Sequence, residues 1–402
     1  MIQLNEGQLN CLNKLMDWWE NYDGSKQVFS ISGLAGCGKT FVIRYLIDTL
    51  DDINLENVLF VAYVGKAAMQ MTKSGVKAKT IHSTIYFMAE VAKKDKDGNI
   101  VKDDNGRSLT TFKFFKRDNL SPEIKLIVVD EAPMVDERVA KDLLSFGLPV
   151  IALGDLHQLP PVIGKPYFLK NPDATLTEIM RQKSDSPILK LAEYVIKSPI
   201  INLRPTTFGD KLMIIKKNDF MSRYQNALLT SDIVICGKNS TRDELNKIIR
   251  SLYFKSLGVD YVKDLMVGDK IICRKNNWSK EVEGISLING LVGNVVGINY
   301  ELKTTNTISI DFKPDFITDY FENISLNIPY FTGSKAARDA IKLKPHDGEL
   351  FEYGYAITCH LSQGSQYEKV IVFVERMGDN EFFRKWLYTA ITRASDKLIL
   401  II

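Results

Sequence analysis

Apolar positions in the first half of the chain fall in short β-branched and aromatic runs, at residues 28–32, 57–62, 126–129 and 150–153, with helical patterns between them. Such alternation predicts a parallel sheet with helices on both faces. The character changes from about 90 to 120. There Lys93-Lys94-Asp95-Lys96-Asp97-Gly98-Asn99 and Asp103-Asp104-Asn105-Gly106-Arg107 carry turn dipeptides, beside the strand-favouring Leu109-Thr110-Thr111-Phe112-Lys113-Phe114-Phe115. The pattern predicts a hairpin inserted at about 88–120. A second αβ block begins near Ile233-Val234-Ile235-Cys236 and resumes at Tyr355-Ala356-Ile357-Thr358. Between them, glycine-punctuated short strands such as Gly290-Leu291-Val292-Gly293-Asn294-Val295-Val296 predict a small β-barrel over 260–343.

The first run ends in a feature with chemical meaning. Val28-Phe29-Ser30-Ile31-Ser32 breaks into Gly33-Leu34-Ala35-Gly36-Cys37-Gly38-Lys39-Thr40 and then a helix-like stretch, which is the strand, glycine loop and helix of a P-loop. Gly33, Gly36 and Gly38 let backbone N–H groups turn toward a phosphate chain, Lys39 can reach the β and γ phosphates, and Thr40 can hold Mg²⁺. A nucleoside triphosphate is the expected ligand.

Composition adds limits rather than function. The 402 residues leave room for two or three domains, and a hydrophobic fraction of 45% is that of a globular protein with real cores. No apolar run approaches the roughly 20 residues of a membrane span. Met1-Ile2-Gln3-Leu4-Asn5-Glu6 lacks the layout of a signal peptide, so a cytoplasmic protein is expected, in the host cytoplasm if phage-encoded. The five cysteines are scattered without metal or disulfide spacing, and the four histidines give no metal-ligand spacing either. With a net charge of only +3, nucleic-acid binding would require a local groove.

Two further strand ends carry candidate chemistry. Leu126-Ile127-Val128-Val129-Asp130-Glu131 sets two acids where ligands sit in open α/β sheets, Asp130 suited to Mg²⁺ and Glu131 to polarising an attacking water. Leu153-Gly154-Asp155-Leu156-His157-Gln158-Leu159-Pro160-Pro161 follows another. The amide of Gln158 can bond both a γ-phosphate and a neighbouring side chain, which suits it to sensing that phosphate.

These motifs, with Leu176-Thr177-Glu178-Ile179-Met180-Arg181-Gln182, His360-Leu361-Ser362-Gln363-Gly364-Ser365-Gln366 and Tyr388-Thr389-Ala390-Ile391-Thr392-Arg393-Ala394, resemble the ordered motif set of superfamily 1 DNA helicases. The resemblance spans nearly the whole chain and points to the RecD-like branch, close to the phage Dda helicase. It implies roles for individual positions. Gln8 matches an adenine-reading glutamine, Gly364 a nucleotide-site glycine, and Arg181 and Arg393 the two arginines that approach the γ-phosphate and stabilise charge in phosphoryl transfer. Nucleic-acid contacts map onto Tyr63, Lys66, Thr80, His82, Asn289, His360, Ser362 and Gln363, a set able to bind phosphates and stack bases at modest positive charge.

Departures from the family pattern are local. Tyr63-Val64 replaces the usual Pro-Thr, so Tyr63 is expected to stack where a threonine would contact the strand; Pro133 replaces a serine, and Gln366 an acid that touches the ribose.

The combined expectation is an α/β protein with two RecA-like parallel-sheet motor domains. The first is 1–185 with the inserted hairpin, the second 186–259 with 344–402, and 260–343 is an inserted SH3-like barrel. ATP and Mg²⁺ are the expected cofactors, single-stranded DNA and a DNA fork the expected partners with replication or recombination proteins possible in addition, and a monomer the expected state. The resemblance implies 5′ to 3′ movement. An RNA or RNP-remodelling translocase and an ATP-gated nucleic-acid-binding module stay open as alternatives.

Overall fold

The computed structural model describes residues 4–402 apart from 74, 93–94, 96–97, 103–105, 107, 109, 161–165, 179–185, 261–263, 284, 316 and 342–346. The chain divides into two compact units, one of residues 1–156 and 160–182, the other of 157–159 and 183–402. Among the described residues no helix is long and apolar enough to cross a membrane.

The first unit is built on strands β1 (Val28–Gly33), β2 (Val58–Ala62), β3 (Ala78–Thr80), the hairpin pair β4 (Tyr86–Ala92) and β5 (Thr110–Lys116), then β6 (Leu126–Asp130), β7 (Val150–Gly154) and β8 (Ala174–Leu176). Six of them form one sheet in the order β3-β2-β6-β7-β1-β8, parallel throughout. Alternate residues feed two cores. Ile31, Val128, Ile151 and Leu153 pack with Leu15, Val42 and Leu46 of the helices Glu6–Glu20 and Lys39–Thr49. Ile127, Val129, Val150 and Ala152 pack instead with Val139, Ala140 and Leu143 of the helix Glu137–Leu144. Burial on both faces explains why these strands are apolar without alternation, and each fully buried Leu or Ile contributes about 1.5–3 kcal/mol.

The hairpin stands off this sheet as a separate ladder, Tyr86 opposite Lys116 through to Ala92 opposite Thr110. Its base is fastened to the unit. The Tyr86 hydroxyl donates to Asp142 Oδ2 at 2.5 Å, Lys116 Nζ donates to Ser145 Oγ at 2.8 Å, and the Lys116 ammonium lies 4.6 Å from the centre of the Phe146 ring.

The second unit holds β9 (Thr206–Phe208), β10 (Leu212–Ile215), β11 (Ile233–Cys236), β12 (Lys270–Cys273), β13 (Asn277–Val282), β14 (Ile285–Leu287), β15 (Val292–Asn299), β16 (Thr307–Pro314), β17 (Phe321–Asn327), β18 (Phe351–Tyr353), β19 (Ala356–Thr358), β20 (Tyr367–Phe373) and β21 (Ala394–Ile401). Its larger sheet runs β19-β11-β20-β21-β10-β9, parallel except for the antiparallel edge strand β9.

The expected SH3-like barrel is not shown as a closed ladder. Residues 260–343 supply four strands of an antiparallel sheet, β17-β16-β15-β12-β18, whose fifth strand comes from beyond that segment, and among the described residues no ladder closes it. Bulges between Val295 and Gly297 and between Ile310 and Phe312 bend the long strands around Phe312, Phe321 and Phe351, which explains the barrel-like sequence pattern. The outer edge nevertheless meets the segment leading into β18: Leu326 and Glu349 form a parallel bridge, Asn327 N donates to Glu349 O at 2.9 Å, Glu349 N donates to Ser325 O at 2.6 Å, and Asn327 Nδ2 donates to Asp347 O at 2.6 Å.

Candidate functional site

In the first unit the carboxyl end of β1 turns directly into the glycine loop. Gly36 and Gly38 have φ of 83° and 84°, a left-handed region that a side chain would strain, and Gly38 caps the helix Lys39–Thr49. A Cβ on Gly33 would lie 2.5 Å from Cys37 Sγ and 3.1 Å from Leu176, so the loop is glycine there for packing. Lys39 Nζ donates to the carbonyls of Gly33 at 2.8 Å and Leu34 at 3.2 Å, which curls the ammonium over the loop. Thr40 is half-buried in the first turn.

Gln8 is buried at this loop and both ends of its amide are engaged. Oε1 accepts from Asn5 N at 3.2 Å in the capping box of the helix Glu6–Glu20, and Nε2 donates to Cys37 O at 3.1 Å. It ties the amino-terminal helix to the phosphate loop, a structural task that its sequence position did not suggest.

Asp130 and Glu131 sit at the end of β6. Asp130 Oδ1 accepts from Glu131 N at 2.9 Å; burial raises its pKa above the usual carboxylate value while the Lys39 ammonium opposes that rise. The loop, Lys39 and Asp130 therefore share one electrostatic environment. Glu131 has φ 49° and ψ 40°, left-handed for a non-glycine residue, and so leaves the strand direction abruptly before the turn Ala132–Met134. Among the described residues no group of three His, Cys, Asp or Glu could hold a metal ion alone. One carboxylate and one threonine fit Mg²⁺, which is held mainly by substrate phosphates and water.

The nucleic-acid candidates of this unit include a ring stack. Tyr63 meets His82 edge-on at 5.6 Å, and His82 lies 5.5 Å from Tyr86. Burial lowers the His82 pKa, with the Asp136 charge opposing it. Thr80 caps the helix Ile81–Ile85: its hydroxyl accepts from Ser83 N at 3.1 Å and donates to Ser83 Oγ at 2.9 Å. Lys66 is buried.

In the second unit, His157–Leu159 packs with the carboxyl-terminal motifs. Leu159 N donates to Thr389 Oγ1 and Gln363 Nε2 donates to Leu159 O, both at 2.9 Å. Gln158 is buried here, and among the described residues its Oε1 has no hydrogen-bond partner. Arg393 is also buried, its Nε donating to Thr389 O and Nη1 to Ser365 O, each at 3.0 Å. Ser362 is fully buried and its hydroxyl donates to Cys359 O at 2.7 Å, so it shapes the turn that presents His360 instead of meeting solvent. Burial lowers the His360 pKa. Gly364 has φ 70°. Exposed Asn289 donates its backbone N–H to Asn276 Oδ1 at 2.7 Å. Arg181 lies outside the described residues.

Two participants were missed in the sequence. Phe87, 43% exposed, stacks on Phe115 at 5.8 Å across the hairpin; it is hidden in the apolar stretch Ile85-Tyr86-Phe87. Thr389 is the other, visible only once residues 159 and 389 meet.

A family model described as AAA domain matches residues 3–197, and one described as UvrD-like helicase C-terminal domain matches 353–401. The chain is 26% identical over 92% of its length to an uncharacterized protein of Methanocaldococcus jannaschii, MJ1519, of which it covers 36%. It is 24% identical over 98% of its length to the ATP-dependent RecD2 DNA helicase of Deinococcus radiodurans, of which it covers 48%. Thus the chain spans half or less of these two curated relatives. A solved structure of Pif1 helicases at forked double-stranded DNA is similar in fold, with a TM-score of 0.54 at 18% identity, covering 100% of this chain and 92% of that one. At that identity the structural likeness is one of fold.

Proposed function

We propose that the chain is an ATP-driven DNA helicase that translocates on single-stranded DNA and separates duplex strands. The observation that carries this reading is the first unit's phosphate loop, with Lys39 and Asp130 in one electrostatic environment and Glu131 turned out of β6 by a left-handed backbone. Gly33, Gly36, Gly38, Lys39 and Thr40 would hold the triphosphate, Thr40 and Asp130 its Mg²⁺, and Glu131 would orient the attacking water. Bound Mg²⁺ supplies charge neutralisation at the β and γ phosphates. Gln158, Arg181 and Arg393 would report and stabilise the transferring phosphate, and Gly364 would border the nucleotide. Gln8 positions the loop, and its adenine contact would need one of its present hydrogen bonds to be exchanged.

Tyr63, His82, His360, Gln363 and Asn289 are the proposed strand-contacting positions, with Lys66, Thr80 and Ser362 supporting them. Movement 5′ to 3′, action as a monomer and closeness to the phage Dda helicase rest on the motif resemblance alone. A phosphate-release assay tests the reading: single-stranded DNA should raise ATP turnover by at least tenfold, and the same rise with RNA but not DNA would replace the substrate. No stimulation by either would reject a translocase.

A further inference from the structure

Beside the outer strands of the second unit, three arginines converge on one buried carboxylate. Glu352, in β18, has Arg242 Nη1 at 3.0 Å, Arg338 Nη1 at 3.0 Å and Arg274 Nε at 3.5 Å. Two of these cations are otherwise well supplied. Arg242 donates to Asp243 Oδ1 through Nε at 3.0 Å and Nη2 at 2.7 Å, and Arg338 donates to Tyr330 O at 3.0 Å. Arg274 is less so: its guanidinium also meets the Tyr330 hydroxyl, but among the described residues its buried Nε and Nη1 have no hydrogen-bond acceptor, while 21% of its side chain stays accessible. Counting Asp243 with Glu352, three guanidinium groups face two carboxylates, which leaves one positive charge uncompensated within the cluster.

Surplus charge beside donor groups without acceptors calls for an oxyanion, because a guanidinium is satisfied by planar pairs of oxygens and buried donors are seldom left unpaired. The position of Arg274 narrows the source. It follows β12 directly, and the residues around it hold the Asn289-Gly290 turn: Gly290 N donates to Cys273 O at 2.8 Å and Asn289 N donates to Asn276 Oδ1 at 2.7 Å. Gly290 has φ 88°, a left-handed conformation that favours glycine in this turn.

We propose that Arg274 binds a backbone phosphate of the single strand beside Asn289, with Arg242 and Arg338 holding Glu352 beneath it as a charged support. This rests on the functional reading above, and deepens it by adding a contact that no helicase motif in the sequence marks.

The test is the salt dependence of binding to a dye-labelled single-stranded oligonucleotide, without nucleotide, for the wild type, Arg274→Gln and Arg274→Lys. Arg274→Met is the second neutral variant, chosen because it fills similar space should the glutamine fail to fold. Loss of one phosphate contact should weaken binding about equally for oligonucleotides of different sequence and lower the slope of log affinity against log salt by about 0.7, with lysine restoring most of that slope. A merely structural role would shift the melting temperature without this change in slope. Unchanged slopes in folded neutral variants would overturn the proposal. A parallel arm compares protection against melting by inorganic phosphate and by chloride at equal ionic strength. Protection lost in the neutral variants with the oligonucleotide slope intact would make free phosphate the ligand and overturn the strand assignment. If the wild type binds no oligonucleotide, the functional reading fails first, and that result is distinct from wild-type binding with an unaltered Arg274 slope.

Discussion

Glu131 shows what the site demands of single residues. A left-handed backbone costs a non-glycine residue about 1–3 kcal/mol, and here it turns a carboxylate out of β6 next to Asp130. Glu131→Gln should therefore keep ATP binding and lose turnover, whereas Lys39→Ala should weaken binding and abolish turnover, as read by a fluorescent nucleotide and by phosphate release. Near-normal DNA-stimulated ATPase in the Glu131→Gln protein would refute the water-orienting role. Arg393 makes a different prediction because it is buried and braced by the carbonyls of Thr389 and Ser365. Its alanine variant should lose roughly 10³-fold or more in turnover with nucleotide-free DNA affinity nearly unchanged. Melting curves of Arg393→Ala and Arg393→Lys separate that loss from unfolding; lost DNA binding with retained ATPase would move Arg393 to the strand track.

At the scale of elements, the hairpin invites a separation of activities. Phe114 is 56% exposed and Phe115 41% exposed, and strand alternation puts them on opposite faces; Phe115 shares its face with Phe87, while the Phe112 side chain lies outside the described residues. An exposed ring can stack a base for about 1–3 kcal/mol. At least one of Phe87→Ala, Phe112→Ala, Phe114→Ala and Phe115→Ala should slow strand separation while single-strand-stimulated ATPase stays near wild type. If all unwind normally, or every failing variant also loses ATPase and stability, the hairpin is not the wedge. The hairpin itself was legible because turn dipeptides and a strand-favouring run stand together in sequence, and so was the phosphate loop, whose strand, glycines and helix are contiguous. The short strands β3, β8 and β9 were not, since three residues take strand form only through the neighbours they pair with. How far the inserted sheet closes was not legible for a related reason: bulges give curvature in the sequence pattern, but whether an edge closes depends on partners far along the chain. Glu352 and its three arginines span residues 242 to 352 and carry no local signature.

For the whole molecule, the two units are each built on a parallel sheet, and the second adds an antiparallel sheet with its own apolar core. The catalytic candidates of the phosphate loop lie in the first unit, while Gln158 and Arg393 lie in the second. Proposed helicase action therefore needs both units in one chain, and duplex separation is its most direct signature. The decisive measurement is strand displacement on four substrates, DNA and RNA duplexes each with a 5′ or a 3′ single-stranded tail, with Glu131→Gln as control. ATP-dependent displacement from the 5′-tailed DNA by the wild type, absent in Glu131→Gln, is the predicted result. Displacement confined to RNA, or none from any substrate despite DNA-stimulated ATP hydrolysis, would contradict a DNA helicase.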